Sequence, residues 1–146
     1  MAIKILIADD QKMIRQALRN LIKKEPDIEV IGEAEDGLAS VKMAEKLMPD
    51  VILMDVVMPG LSGIEATRRI KIKFPSIKII AFSIFLDKEL VREMLKAGAS
   101  AYLAKEDMVE EWLKAVKTVL ADQIYISQSL ANNEISAYIE IIKKNQ

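Results

Sequence analysis

Five polar side chains stand at the ends of four apolar segments of this sequence, and together they suit a cation and a phosphoryl group. Asp9 and Asp10 end the first segment, Asp55 ends the segment VILMD, and Ser83 and Lys105 end the last two. If these segments are strands of a parallel sheet, their carboxyl ends meet at one edge, which is where such folds bind ligands. Three neighbouring carboxylates repel one another unless a cation or a raised pKa relieves them. Because no arginine lies in these motifs, we expect Mg²⁺, which prefers carboxylate and phosphate oxygens, to supply the counter-charge.

Each of these residues also has an ordinary structural explanation when it is taken alone. The Asp9–Asp10 pair fits a solvated turn in which Asp10 caps the first helix, Ser83 fits a turn, and Lys105 fits a solvated loop. Asp55 differs, because a carboxylate that follows four apolar residues of a central strand destabilises the fold if it is buried without partners. The order of these residues along the chain, each at the end of a segment, favours one common site.

The apolar segments recur about every 25 residues, which is the length of one strand–helix unit. They cover residues 3–8, 28–31, 51–54, 77–82 and 101–104. The central segments do not alternate with polar residues, as expected for strands that are buried on both faces. Between them lie helical patterns, and Ser62–Glu65 and Asp107–Glu110 have the spacing of a capping box. We predict an α/β fold of the (βα)5 flavodoxin-like class, with a doubly wound parallel five-stranded sheet of strand order 2-1-3-4-5.

Composition excludes several classes of protein. The chain has 146 residues, no Cys, no His and a net charge of −1. Disulfides and zinc–thiolate sites are therefore excluded, and no phosphohistidine can form on this chain. The near-neutral charge provides no basic surface for nucleic acid or a membrane, and the N-terminal segment is neither a signal peptide nor a membrane span. We expect a cytoplasmic protein.

We expect the chain to divide into a domain at residues 1–122 and a linker at residues 123–146. The repeating strand–helix pattern closes near Asp122. Beyond it, an apolar stripe at helical spacing predicts a C-terminal amphipathic helix and consists of Ile135, Tyr138, Ile139 and Ile142. Two interpretations of this helix stay open: it packs on its own domain, or it contacts a second copy or a partner helix.

Over about residues 2–122 the chain resembles the receiver domain of two-component response regulators. The motifs that carry the resemblance are ILIADD, DVILMDVVMPGLSGIEA, IIAFS and GASAYLAKE. The resemblance implies that Asp55 accepts a phosphoryl group from a phosphohistidine on a sensor histidine kinase. It also implies that Asp10, Asp55 and the backbone carbonyl of Val57 bind Mg²⁺, with Asp9 contributing through water.

The same resemblance implies roles for the other site residues. Lys105 would pair with phosphoryl oxygens, the Ser83 hydroxyl would bond one of them after transfer, and Tyr102 would be the switch aromatic that turns inward as Ser83 moves. Such a domain is not a turnover enzyme, so only Mg²⁺-dependent self-phosphorylation and slow autodephosphorylation are expected. A phosphatase of the haloacid-dehalogenase type is disfavoured, because it would place an Asp at the position of Val57.

Within this family, the sequence is most similar to the NarL/LuxR-type branch. Two segments carry this similarity, FSIFLDKELVREMLKAGASAYLAKE and QIYISQSL. In that branch a helix-turn-helix domain follows the receiver, so the resemblance implies a transcription output through a DNA-binding domain that this chain lacks. The alternative is a stand-alone receiver that acts through protein contacts. A homodimer would form through the fourth helix, fifth strand and fifth helix, or through the C-terminal helix.

Overall fold

Six strands and six helices make up the computed structural model, which describes residues 2–131 and 133–144. The strands are β1 (Ile3–Ala8), β2 (Ile28–Ala34), β3 (Val51–Asp55), β4 (Lys78–Ser83), β5 (Ala101–Ala104) and β6 (Tyr125–Ile126). The helices are α1 (Lys12–Ile22), α2 (Gly37–Leu47), α3 (Gly63–Lys73), α4 (Lys88–Ala97), α5 (Met108–Leu120) and α6 (Asn133–Lys144), and 3-10 turns lie at Lys105–Asp107 and Gln128–Leu130. Within the described ranges, no helix has the length and apolar character needed to cross a membrane.

The strands form one parallel sheet with the order β2-β1-β3-β4-β5-β6. The α/β class, the parallel sheet and the order of the first five strands are confirmed, but the prediction of a five-stranded sheet was wrong. The sixth strand is added where the Tyr125 N–H donates to the Ser100 carbonyl at 2.9 Å and the Ser127 N–H donates to the Tyr102 carbonyl at 3.0 Å. Because β6 is only two residues long, it has no apolar pattern of the kind that identifies the other strands.

Helices cover both faces of the sheet. Alternate strand residues such as Ile7 and Phe82 pack beneath α1 and α5, whereas Leu6 and Met54 pack beneath α2, α3 and α4. Every residue of β3 is buried. The central strands therefore lack polar alternation because both of their faces contact helices.

The two predicted capping boxes have different outcomes. The Ser62 hydroxyl accepts a hydrogen bond from the Glu65 N–H at 3.2 Å, so Ser62 caps α3 as predicted. Asp107 does not cap α5. Its carboxylate instead accepts hydrogen bonds from the Ser127 hydroxyl at 2.9 Å and the Ser129 N–H at 3.3 Å, which ties the start of α5 to the segment after it.

The residues after α5 fold back onto the domain. Helix α6 lies beside α4, and Ile135 is buried there with only 3% of its surface exposed. Tyr138, Ile139 and Ile142 contact the same side of the core. Of the two interpretations of the apolar stripe, the structure therefore shows packing of α6 on its own domain.

Candidate functional site

Asp55 ends β3 at the centre of the sheet, with only 4% of its surface exposed. Burial raises the pKa of this carboxyl to about 7, and the negative charge of Asp9 acts in the same direction. The positive charge of Lys105 and a hydrogen bond from the Val57 backbone act the other way. Without a cation, the ionised form of Asp55 is therefore unfavourable below about neutral pH.

Asp9 and Asp10 follow β1, the neighbour of β3 in the sheet. Oxygens of the Asp9, Asp10 and Asp55 carboxylates all lie within 4.8 Å of one another, with Asp9 buried and Asp10 exposed. The Gln11 N–H donates to Asp9 Oδ1 at 2.7 Å. Helix α1 begins after Gln11 without a side-chain cap, so Asp10 does not cap that helix. The structure thus brings together the three acids that the sequence placed at strand ends.

Lys105 approaches the acidic cluster from the end of β5. Its Nζ lies 3.3 Å from Asp9 Oδ2 and 3.7 Å from Asp55 Oδ1, and 5.3 Å from the centre of the Phe82 ring. The ammonium therefore faces two of the three carboxylates. A charge in this position also favours negative oxygens on any group that is attached to Asp55.

Ser83 and Tyr102 form a second polar group on the neighbouring strands β4 and β5. The Ser83 hydroxyl accepts a hydrogen bond from the Phe85 N–H at 2.9 Å, and the Tyr102 hydroxyl donates to the Phe85 carbonyl at 2.6 Å. Tyr102 is wholly buried, and this burial raises its pKa to about 12, although a hydrogen bond with the Ser83 side chain acts in the opposite direction. Both side chains thus hold the loop after β4 in this structure.

The loop after β3 is held by a close approach of backbone to backbone. The Gly63 N–H donates to the Val56 carbonyl at 3.0 Å, and a Cβ at Gly63 would overlap the Asp55 carbonyl oxygen. Glycine is therefore required where α3 begins. Val57 lies in this loop with an exposed side chain, and the role of its carbonyl as a ligand stays a prediction.

One residue at the site was not identified from the sequence. Arg15 Nη1 donates to the Asp9 carbonyl at 2.8 Å, and Arg15 Nε donates to Glu33 at 3.0 Å. The sequence signal is the pair Arg15 and Arg19, one turn apart on α1, which both contact Glu33 of β2. That signal is weak, because charged residues on a helix usually face solvent.

The donor set of the cluster suits a hard cation. Three carboxylates converge without Cys or His, and carboxylate oxygens that retain waters are the ligands Mg²⁺ prefers. Asp55 is buried at the end of the central strand β3 and has a raised pKa, which is typical of a carboxylate held for chemistry. The arrangement can bind a divalent cation beside a nucleophilic carboxylate, with an ammonium opposite.

Comparison with known proteins identifies relatives along nearly the whole chain. Residues 5–117 match the family described as the response regulator receiver domain. The transcriptional regulatory protein DegU of Brevibacillus brevis is 38% identical over 144 residues, which cover 99% of this chain and 61% of that protein. The transcriptional regulatory protein LiaR of Bacillus subtilis (strain 168) is 40% identical over 92% of this chain and 64% of its own length. The chain therefore spans about 61–64% of the length of these relatives.

Solved structures share the fold. A two-component response regulator of the LuxR family from Aurantimonas sp. SI85-9A1 has a TM-score of 0.85 at 29% identity, covering 89% of this chain and 93% of that chain. The response regulator domain of Thermotoga maritima CheB has a TM-score of 0.78 at 32% identity, covering 83% and 98% of the two chains.

Proposed function

We propose a function for this chain, which belongs to the family of response regulator receiver domains. In this proposal Asp55 accepts a phosphoryl group from a phosphohistidine on a sensor histidine kinase, and the modified chain switches an output. The observation that carries the proposal is the buried Asp55 carboxylate, grouped with Asp9 and Asp10 and facing the Lys105 ammonium.

The three acidic residues, Lys105 and the Val57 carbonyl have roles in the transfer. An oxygen of Asp55 forms the new bond to phosphorus, while the bond from phosphorus to the donor's imidazole nitrogen breaks. Lys105 offsets charge on the phosphoryl oxygens, which is mostly what phosphoryl transfer requires. Mg²⁺, which receiver domains bind at an acidic pocket, would be held by Asp10, Asp55 and the Val57 carbonyl, with Asp9 contributing through water. Bound Mg²⁺ would neutralise charge on the transferring group.

Ser83 and Tyr102 would carry the signal away from Asp55. After transfer, the Ser83 hydroxyl would donate its hydrogen to a phosphoryl oxygen and turn toward Asp55, away from the Phe85 N–H whose hydrogen bond it now accepts. Because the Tyr102 hydroxyl also holds the Phe85 residue, a change at Ser83 alters the loop that precedes α4. The added charge thus selects between two arrangements of the surface around α4, β5 and α5.

The domain would modify itself rather than turn over a substrate. Self-phosphorylation from a small phosphodonor and slow autodephosphorylation are the reactions expected of it. We place it in the cytoplasm, where histidine kinases present their phosphohistidine.

Transcription control is the output that we infer from the relatives, since DegU and LiaR are named as transcriptional regulatory proteins. In that case a DNA-binding domain acts with this receiver, and a homodimer forms through the α4–β5–α5 surface or α6. The second candidate is a stand-alone receiver that acts through protein contacts. The reading frame after Gln146 separates them: a helix-turn-helix module supports transcription control, and a stop codon supports the second candidate.

Intact-mass measurement after incubation with acetyl phosphate and Mg²⁺ tests the proposal. We expect the wild type to gain one phosphoryl group and Asp55→Asn to gain none. Asp50→Asn is the matched control, because Asp50 is an exposed acid that directly precedes β3 at its opposite end. It should be modified like the wild type. Absence of any gain in the wild type, or an equal gain in Asp55→Asn, would reject the proposal.

A further inference from the structure

We propose that Arg15 is a positioning residue for the acidic cluster: it fixes the Asp9 backbone and thereby sets where the Asp9 and Asp10 carboxylates stand for a divalent cation. The proposal rests on the proposed function, because the divalent cation is the Mg²⁺ that this function places at the acidic cluster. Its structural basis is a set of contacts among residues of this chain alone.

Arg15 bridges two elements and the loop between β1 and α1. From its place on α1, one guanidinium donates to the Asp9 carbonyl at 2.8 Å and to the Glu33 carboxylate of β2 at 3.0 Å. The side chain is nearly buried, with 12% of its surface exposed. The planar fork of a guanidinium can hold two partners at fixed angles, and hydrogen bonds from a charged donor are stronger than neutral ones.

The contacts of Asp9 hold it from several sides. Its N–H donates to the Ala34 carbonyl of β2 at 3.0 Å, and its own carbonyl accepts from Arg15. Its side chain accepts from the Gln11 N–H at 2.7 Å and faces Lys105 at 3.3 Å. Asp10 is exposed, so its position depends on the backbone that Arg15 and Ala34 fix at the preceding residue.

This geometry gives Arg15 a role beyond general stability. If Arg15 loses its two donor groups, the Asp9 carbonyl loses its charged partner. The turn that carries the Asp9 and Asp10 carboxylates then has more conformational freedom. A cation then has to order its own ligands on binding. Groups that orient metal ligands typically contribute about 10–100-fold to metal affinity.

Arg19 supplies a matched control. Its Nε forms an ion pair with the other oxygen of Glu33 at 2.9 Å, and both of these residues lie outside the loop that carries Asp9 and Asp10. Arg19→Met therefore removes an ion pair on the same acid without touching the loop. Arg15→Met keeps the aliphatic stem and removes both donors, whereas Arg15→Lys keeps the charge but replaces the planar fork of separate nitrogens with a single ammonium nitrogen.

The experiment measures the Mg²⁺ dissociation constant of the four proteins by titration calorimetry. We expect Arg15→Met to weaken binding about tenfold, Arg15→Lys to fall between it and the wild type, and Arg19→Met to change binding less than about twofold, because exposed ion pairs contribute little. In metal-free protein, the Gln11 amide should exchange its hydrogen faster in Arg15→Met than in Arg19→Met. If Arg15→Met does not fold, the comparison of Arg15→Lys with Arg19→Met tests the proposal instead.

Equal dissociation constants in all four proteins would overturn the proposal, and so would equal weakening in Arg15→Met and Arg19→Met. A wild type that does not bind Mg²⁺ would overturn it as well. The proposed function fails separately: if Arg15→Met weakens Mg²⁺ binding but the wild type is never phosphorylated, the positioning role stands and the phosphoacceptor role does not.

Discussion

At the scale of single residues, the site concentrates negative charge that does not stabilise the fold. Asp55 and Asp9 are both buried, and Lys105 at 3.3 and 3.7 Å is one positive charge facing two negative ones. Burial raises the pKa of Asp55, and the negative charge of Asp9 acts in the same direction. A carboxylate in this state is ready to accept a cation or a phosphoryl group.

The imbalance predicts a pH-dependent stability difference between the wild type and Asp55→Asn in EDTA. The pKa of Asp55 is about 7 in the folded chain, above its usual value of 3.8, so the folded state binds the proton more tightly than the unfolded state. The stability of the wild type relative to Asp55→Asn therefore falls as pH rises from about 4 to 7, and the penalty is complete above pH 7. We expect Asp55→Asn to be more stable at pH 8 by on the order of 2–4 kcal/mol.

Urea denaturation at pH 8 and pH 5 measures this difference. At pH 5 the advantage of Asp55→Asn should shrink, because the wild-type carboxyl is then protonated in the folded state. Saturating Mg²⁺ at pH 8 should also narrow it, because only the wild type retains all three carboxylates. An advantage that does not vary with pH would contradict the account of Asp55.

Tyr102 gives a second prediction at this scale. Tyr102→Phe removes the hydroxyl that donates to the Phe85 carbonyl at 2.6 Å, so we expect a loss of about 1 kcal/mol in the free energy of unfolding. Phosphorylation of Asp55 should persist, since our proposal gives Tyr102 no part in the transfer. Denaturation and intact-mass measurements check these two outcomes, and loss of phosphorylation in a folded variant would contradict the assignment of Tyr102 to the switch alone.

At the scale of elements, the end of β3 and the start of α3 must meet closely for Asp55 to stand where it does. Gly63→Ala would place a Cβ in steric overlap with the Asp55 carbonyl oxygen. The backbone must move to relieve that contact, so we expect a loss of roughly 3 kcal/mol or more and weaker Mg²⁺ binding.

Gly60→Ala is the matched control in the same loop. Gly60 has a φ of +72°, but a Cβ there has no atom within 4 Å, so only the left-handed backbone conformation opposes the change, at about 1 kcal/mol. Denaturation of the two variants measures the contrast. Equal losses would contradict the close approach at Gly63.

The elements were largely predictable because local pattern decides them. β3 is a continuous apolar segment that ends in Asp55, and Ser62 caps α3 through residues three positions apart. Asp107 fits the same local rule, yet its carboxylate contacts Ser127 and Ser129, about 20 residues later in the chain. Such a long-range partner overrides a capping signal and leaves no trace in local spacing.

At the scale of the whole molecule, the segment after α5 belongs to the same packed body in this structure. The Ser127 hydroxyl accepts a hydrogen bond from the Ala104 N–H at 3.1 Å and donates to Asp107. This contact joins the segment to the strand that precedes Lys105. The position of this segment beside the strand that leads to Lys105 could not be predicted, because the sequence signals in the segment are only a two-residue strand and an apolar stripe.

Substitutions on α6 test this packing. Ile135→Ala should lower the free energy of unfolding by about 2–4 kcal/mol, because Ile135 is buried against the core and its loss leaves a cavity. Ile141 on the same helix is 56% exposed, so Ile141→Ala should cost less than about 0.5 kcal/mol. Denaturation measures both, and a negligible cost for Ile135→Ala would show that α6 does not stabilise the domain.

The central claim is that Asp55, among three neighbouring carboxylates, accepts the phosphoryl group. Borohydride reduction of an aspartyl phosphate converts the modified residue to homoserine, which peptide sequencing by mass spectrometry can locate. After incubation with acetyl phosphate and Mg²⁺, we predict homoserine at position 55 and unmodified Asp9 and Asp10. Homoserine at position 9 or 10, or at none of the three, would contradict the account.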